Sequence, residues 1–411
     1  MTVHGARAVQ RCRTLVEPPF SETADQLFRY WLATSYRHTL AQVQIWMEEA
    51  GMVVRTDAVG SLIGRYEGTN PALPALVIGS HLDTVRNGGA FDGNLGVMLG
   101  IELVSALHEN DERLPFSIEV IGFGDEEGSR FPVPMICSRT MTGAIEIVPQ
   151  GVTDAQGMTV SEAMISYGLD PARLKEAARR PEDILAFIEP HIEQGPCLEA
   201  ADRPLGVVTA IAAQTRQRVI IKGQADHAGT TPMLLRRDAL AGAAEMILAV
   251  EKRGAIGAGN QMATVGQMEI APNTSNVIPG DVWFSLDMRA ASDDVRNRLV
   301  EEIHADIRQI AERRGLEVLF TPAQELAASV CSPGIIDQFA SAIEKVTGQP
   351  APHLLSGAGH DSMAMAGFCP MGMLFIRSPG GLSHHPDETV LVEDVELAHR
   401  ALLAFVKEFQ L

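Results

Sequence analysis

The sequence predicts an α/β protein: a mixed, largely parallel sheet flanked by helices, interrupted by a second unit of different rhythm. Three observations carry this. Up to about residue 213, short continuous apolar runs alternate with segments of helical spacing, the pattern of strands buried on both faces and joined by helices. Between about 214 and 328 the order becomes strand–helix–strand–strand–helix–strand, and beyond 329 the short apolar runs return. The middle segment therefore reads as an insertion, with residues 1–213 and 329–411 forming one domain and 214–328 another. A length of 411 residues, too great for one ordinary core, agrees.

Taken in order, Ala75–Ser80 ("ALVIGS") is a short apolar run ending in Gly, and Leu95–Asn110 follows with helical spacing. Phe116–Gly124 ("FSIEVIGFG") returns as a strand and runs into three consecutive acids, Asp125, Glu126 and Glu127. His81 and that triplet thus stand at the carboxyl ends of two strands, where open α/β sheets bind their ligands. In the insertion, "QRVIIKGQ" is a strand and Arg237–Arg253 a helix. "QMATVGQMEIAP" and "DVWFSLDMRA" are two more strands, joined by the turn-rich "PNTSNVIPG". A helix capped by Ser292 and stopped at Gly315 precedes the last strand, "LEVLFTPAQ". This β-α-β-β-α-β order is ferredoxin-like. The chain then passes through "SPGIIDQFASAIEKVTG" to the apolar "MGMLFI" and a final helix near Val395–Phe409.

Composition narrows the function classes. Hydrophobic residues at 46% and charged residues at 21% are globular values. No apolar stretch approaches the ~18 residues of a spanning helix, and the N-terminus lacks the apolar core of a signal peptide. A formal net charge of −19 argues against nucleic acid and for small metabolites as partners. The five cysteines (Cys12, Cys137, Cys197, Cys331, Cys369) are scattered, forming neither a disulfide framework nor a metal knot. That suits a reducing, cytoplasmic setting, and Cys137 reads as a buried structural thiol.

The acid triplet poses the chemical question. Ionised carboxylates beside a core need neutralising charge, and only Arg130 stands nearby in sequence. Metal-type side chains recur at strand ends and Gly-rich turns: His81 in "GSHLDTV", Asp92 in "GGAFDGNLG", Glu126 and Glu127, His191 in "EPHIEQG", and His384–His385 in "GLSHHPDE". Imidazoles with carboxylates and no thiolate suit zinc or a harder divalent ion such as manganese. Each segment alone reads equally as a core histidine, a turn aspartate or a solvated acid; their repetition points to bound cations.

The segments "GSHLDTV…GGAFDGNLGV", "GFGDEEGSRF", "HIEQG", "DHAGTTPM", "NVIPG", "SGAGHD" and "GLSHHPDE" resemble the hydantoinase/carbamoylase amidases of the M20-type metallopeptidase group. That family includes allantoate amidohydrolases, N-carbamoyl-L-amino-acid hydrolases and β-ureidopropionases. The resemblance implies a two-metal catalytic domain, with Zn2+ or Mn2+, and an inserted lid/dimerisation domain. It makes His81, Asp92, Glu127, His191 and His384 the ligands, with Asp92 bridging, Glu126 the general base and Asp83 an orienter of His81. His384, directly after Ser383, is favoured over His385 by the family pattern. Gln194, Arg216, Asn276, Arg289 and the backbone at Gly359 become substrate contacts. His227 would polarise the scissile carbonyl in a neighbouring subunit of a homodimer. The reaction implied is hydrolysis of a ureido C–N bond, with allantoate placed ahead of an N-carbamoyl-L-amino acid. A peptidase or N-acyl amino-acid hydrolase, or a non-catalytic binding protein on the same fold, are the alternatives. The text after the acids, with Pro132 and Pro134, departs from the commoner family pattern and leaves the substrate open.

Overall fold

The computed structural model describes residues 4–256 and 260–410. Residues 1–3 and 411, the outer ends of the expected catalytic domain, lie outside the described residues. The chain forms two compact units: one of residues up to Thr209 with Cys331–Leu354 and Ala358 onward, the other of Ala210–Val330 with Leu355–Gly357.

The strands in chain order are β1 (Val53–Thr56), β2 (Leu62–Tyr66), β3 (Ala75–His81), β4 (Ile118–Phe123), β5 (Ile184–Ile192) and β6 (Leu205–Ile211). They continue with β7 (Ala213–Lys222), β8 (Asp226–His227), β9 (Gln261–Thr264), β10 (Met268–Ala271), β11 (Val277–Ile278) and β12 (Asp281–Ala290). β13 (Glu317–Leu326), β14 (Ser329–Val330), β15 (His353–Ser356) and β16 (Met371–Ile376) complete them.

In the first unit the sheet runs β1-β2-β4-β3-β5-β16-β6, with β15 also beside β6. Its centre, β4-β3-β5-β16, is parallel, and its flanks are antiparallel. Every residue of β3 and β4 is buried, as their unbroken apolar text requires of strands covered on both faces. The helix Asn94–Glu109 leaves the end of β3 and is buried from Asn94 to Leu107. One acidic residue lies deep among these apolar ones. Glu102 accepts hydrogen bonds from Arg7 Nε at 2.7 Å and Arg11 Nη1 at 2.6 Å, and bonds His4 Nδ1 at 2.9 Å. It ties the helix His4–Thr14 to the core.

The second unit has the sheet order β10-β12-β7-β13, with β9 also on β12, and its pairings are antiparallel. Helices Ala239–Ile256 and Asp293–Arg314 supply Met246, Val250, Ile303 and Ile307 to the core beneath Phe284 and Leu286. The ferredoxin-like order holds, with two differences. The turn-rich "PNTSNVIPG" carries the short strand β11, which pairs with β8 in a separate two-stranded sheet. "QMATVGQMEIAP" is two strands rather than one, and Ser285 Oγ accepts the backbone N–H groups of Gly266 (3.3 Å) and Gln267 (3.0 Å). The Ser285 N–H still donates to the Gln267 carbonyl at 3.0 Å, so the hydroxyl adds to the ladder at the break between the two strands. Ser292 Oγ accepts the N–H of Val295, and Gly315 ends the helix at φ 63°, as the caps in the sequence require. No described helix is long and apolar enough to cross a membrane.

Candidate metal centre

The register of the central sheet places chemistry at one end. His81 closes β3 level with Phe123, which closes β4, so the acids after β4 emerge beside His81. His191 is the penultimate residue of β5. Asp92 lies just before the helix that follows β3, and His384 in the loop after β16.

These side chains converge on Asp92. Its Oδ1 lies 3.2 Å from His191 Nε2 and 3.8 Å from His81 Nε2. Its Oδ2 lies 3.1 Å from His384 Nε2, which is itself 3.5 Å from Glu127 Oε2. Four groups of such side chains lie here with ligand atoms within 4.8 Å of one another: His81–Asp92–His191 and Asp92–Glu127–His384, which share Asp92, and also His81–Glu126–Glu127 and Glu189–His191–His360. Glu126 reaches the same place, its Oε2 being 3.9 Å from His81 Nε2. The approach demands Gly93: at φ 65°, a Cβ there would lie 2.4 Å from the His81 ring. Three non-glycine residues around the centre, Asp125, Gln194 and His384, also have left-handed backbones, with φ of 63°, 57° and 54°. Such conformations persist only where neighbours over-determine them.

The electrostatics show a site short of positive charge. Burial, then repulsion from Glu127, Asp361, Asp83 and Asp92, pushes the Glu126 carboxyl well above the usual carboxylate range. Burial and repulsion from Asp92 and Asp83 do the same to Glu127. Burial also opposes charge on Asp92, but hydrogen bonds from His191 and His384 outweigh it and hold that carboxyl well below its ordinary range. His191, penalised by burial, is pushed up to about 9 by Asp92. Arg130 does not relieve the cluster; its Nε bonds Asp154 at 3.1 Å, and it donates to the Trp31 and Leu32 carbonyls. Glu127 Oε1 and Gln194 Oε1 are buried with no hydrogen-bond partner among the described residues. Uncompensated carboxylates, imidazole nitrogens and orphaned oxygens fit divalent cations.

The neighbouring residues hold this arrangement. His81 Nδ1 bonds the Asp83 carbonyl at 3.0 Å, whereas the Asp83 carboxylate stands 3.8 Å away. That carboxylate instead accepts the N–H groups of Glu126 and Glu127, each at 3.2 Å. Asp83 therefore orients the imidazole through its backbone and the two glutamates through its side chain. Gln194 Nε2 donates to Asp92 Oδ2 at 3.0 Å. A Cβ built at Gly359 would lie 3.7 Å from Glu126 Oε1, so that backbone borders the site. His385 is turned away, accepting the N–H of Asp387 at 3.1 Å. Cys137 is buried, and its burial pushes the thiol well up.

Sequence reasoning missed the supports. Arg29 is fully buried and donates to the Leu82 carbonyl (2.6 Å) and to Asn94 Oδ1 (2.8 Å), under both His81 and Asp92. Glu388, within the quoted "SHHPDE", accepts the N–H of Asp92 at 3.0 Å. Nothing in one sequence marks either, because an isolated Arg or a loop Glu reads as solvated.

The remaining expected residues belong to the second unit. Arg216 and Arg289 come together on Asp287: Arg216 Nε lies 2.8 Å from Oδ2, Arg289 Nε 2.9 Å from Oδ1 and Arg289 Nη2 3.1 Å from Oδ2. Arg289 also donates to the Gly357 carbonyl. Its two-toothed grip is thus on a carboxylate of its own strand. Both arginines line a cavity of about 710 Å³ with Arg218, Trp283, Met262 and Gln267. His227 is exposed on β8, in register with Val277 of β11, and the Asn276 carbonyl accepts the Ala228 N–H at 3.0 Å.

Residues 77–408 match peptidase family M20/M25/M40. The chain is 41% identical over 400 residues to the N-carbamoyl-L-amino acid amidohydrolase of Geobacillus stearothermophilus, covering 97% of each. It is 36% identical over 416 residues to the allantoate deiminase of Arabidopsis thaliana, covering 94% of this chain and 79% of that one. A hydantoinase/carbamoylase family amidase from Burkholderia ambifaria has a similar crystal structure, with a TM-score of 0.89, 32% identity, and 98% and 96% of the chains covered. The chain belongs to the M20/M25/M40 peptidase family and, within it, to the hydantoinase/carbamoylase amidases.

Proposed function

We propose that this amidase hydrolyses the ureido C–N bond of a small N-carbamoyl carboxylate, releasing ammonia and carbon dioxide, in the cytoplasm. The observation that carries the reading is the pair of ligand triplets sharing Asp92, with the Glu126 carboxyl beside them. His81, Asp92 and His191 would hold one divalent ion, and Asp92, Glu127 and His384 a second, Zn2+ or Mn2+. Bound there, such a pair supplies Lewis-acid polarisation of a carbonyl and a water of lowered pKa.

The chain's own groups do the rest. Glu126 takes the proton of the attacking water and returns it to the departing nitrogen. Burial and repulsion from neighbouring carboxylates raise its proton affinity in the chain alone, and a bound pair of cations would oppose that rise. Asp83 keeps Glu126 and Glu127 in place through their backbone N–H groups. Gln194 and the Gly359 backbone border the reacting carbonyl. In the second unit, read as a lid and dimerisation domain, Arg289 with Arg216 would bind the substrate carboxylate and Asn276 its amide. His227 would polarise the carbonyl in the neighbouring subunit of a homodimer.

Against the sequence expectation of allantoate first, we take N-carbamoyl-L-amino acids as the first reading, supported by the higher identity to an N-carbamoyl-L-amino acid amidohydrolase, with allantoate the second. The test is hydrolysis of N-carbamoyl-L-amino acids and allantoate, read as ammonia, and of N-acetyl amino acids and dipeptides, read as freed amino acid, with zinc or manganese restored after chelation. Ammonia from the ureido acids, with no amino acid freed from the others, is expected. Cleavage confined to dipeptides or N-acetyl compounds would make it a peptidase or acyl hydrolase. No turnover and no metal uptake would make it a binding protein.

A further inference from the structure

The two triplets that share Asp92 are built with unequal rigidity. His81 and His191 sit on adjacent central strands with their side chains 2% and 1% exposed. His384 has a side chain 51% exposed and stands in a loop, on a left-handed backbone. A ligand so placed needs an anchor, and Glu388 is positioned to supply it. Its carboxylate is buried, and one oxygen, Oε1, accepts the N–H groups of Phe91 (2.8 Å) and Asp92 (3.0 Å). The other, Oε2, lies 3.1 Å from Ser383 Oγ, on the residue preceding His384. Ser383 Oγ also lies 3.0 Å from Asp92 Oδ2 and accepts from Gln194 Nε2 at 3.2 Å. The packing is close enough that a Cβ on Gly89 would come within 2.3 Å of the Glu388 side chain. A single carboxylate thus clasps the segment bearing Asp92 to the loop bearing His384, about 290 positions apart in sequence.

We infer that Glu388 is the positioning residue of the Asp92–Glu127–His384 site: it makes that looser triplet able to hold its ion, while the triplet whose two imidazoles stand on β3 and β5 depends on it only through the shared Asp92. The inference rests on the two-ion reading above, and the experiment separates the two. Bound zinc per chain and the affinities of both ions are measured, with the cobalt(II) absorption spectrum, on the full-length wild type, Glu388→Ala and Glu388→Gln. The expected result is two ions for the wild type and one retained by Glu388→Ala, the second ion binding about 10- to 100-fold more weakly. Glu388→Gln keeps an acceptor oxygen and restores two. Should Glu388→Ala fail to fold, Ser383→Ala cuts the Oε2 arm, together with the Ser383 contacts to Asp92 Oδ2 and Gln194, and is expected to weaken the same ion. Two ions bound by the alanine variants with unchanged affinity, or equal weakening of both, overturns the assignment of Glu388. A wild type that takes up no ion overturns the two-ion reading itself.

Discussion

Glu126→Gln is the substitution that tests the proposed chemistry most directly. The swap is isosteric, so it opens no cavity. It also leaves the backbone bonds from residues 126 and 127 to the Asp83 carboxylate, each 3.2 Å, in place. Both triplets that share Asp92 are made without Glu126 Oε2, so two ions should still bind. A neutral carboxamide takes the place of a carboxyl whose charged form burial and Glu127, Asp361, Asp83 and Asp92 already disfavour. Metal-free Glu126→Gln should therefore unfold at a temperature no lower than metal-free wild type, and lost activity could not be blamed on lost structure. What disappears is proton transfer. A positioned general base is worth about 10²- to 10⁴-fold in rate, or about 3–5 kcal/mol of barrier. The assay is ammonia release at saturating ureido acid, with metal content measured on the same preparation. A loss of less than about tenfold with both ions bound would move the base elsewhere, and loss of an ion would make Glu126 a ligand.

Other expectations follow from contacts far from the reaction. Glu102→Ala strands Arg11 and His4, whose side chains are 11% and 5% exposed, and should cost about 3–5 kcal/mol in urea unfolding. Arg7→Ala, at a partner 42% exposed, should cost about 1 kcal/mol or less; equal costs would refute the hub role of Glu102. Burial, then neighbouring His4, lowers the pKa of His399 to about 4, and its Nε2 lies 3.3 Å from the Glu102 carbonyl. The native state then binds fewer protons there than the unfolded chain, so His399 contributes stability above about pH 6.5. That contribution is lost as pH falls towards 4, and His399→Gln should flatten this part of the stability profile measured by thermal unfolding. Arg289→Ala should raise KM for carboxylate substrates several-fold more than it lowers kcat; an unchanged KM would remove Arg289 from substrate binding.

Much of the site was legible because the signals are local. β3 and β4 declare themselves through unbroken apolar text, and strand ends in such sheets are where ligands gather. His81, Asp92, Glu126, Glu127, His191 and His384 are recognisable as donors by residue type and by the motifs around them. Other features fail locally. "QMATVGQMEIAP" keeps a strand pattern throughout, yet it divides in two where Ser285, on the neighbouring strand, bonds it with its hydroxyl. Arg130 is the nearest cation to the acids in sequence, but Asp154 and two carbonyls claim it.

The amino-acid order alone thus determines the class of fold, the inserted unit and the kinds of ligand atoms available. Short-range periodicity and side-chain chemistry are properties of neighbours along the chain. Only the tertiary structure decides that Asp92 divides its two oxygens between imidazoles from three separate segments, that His384 rather than His385 meets it, and that Glu388 and Arg29 brace the result. Those outcomes depend on which distant groups arrive within about 3 Å of one another. That distance is set by the packing of the whole sheet and its helices, and no window of sequence contains it.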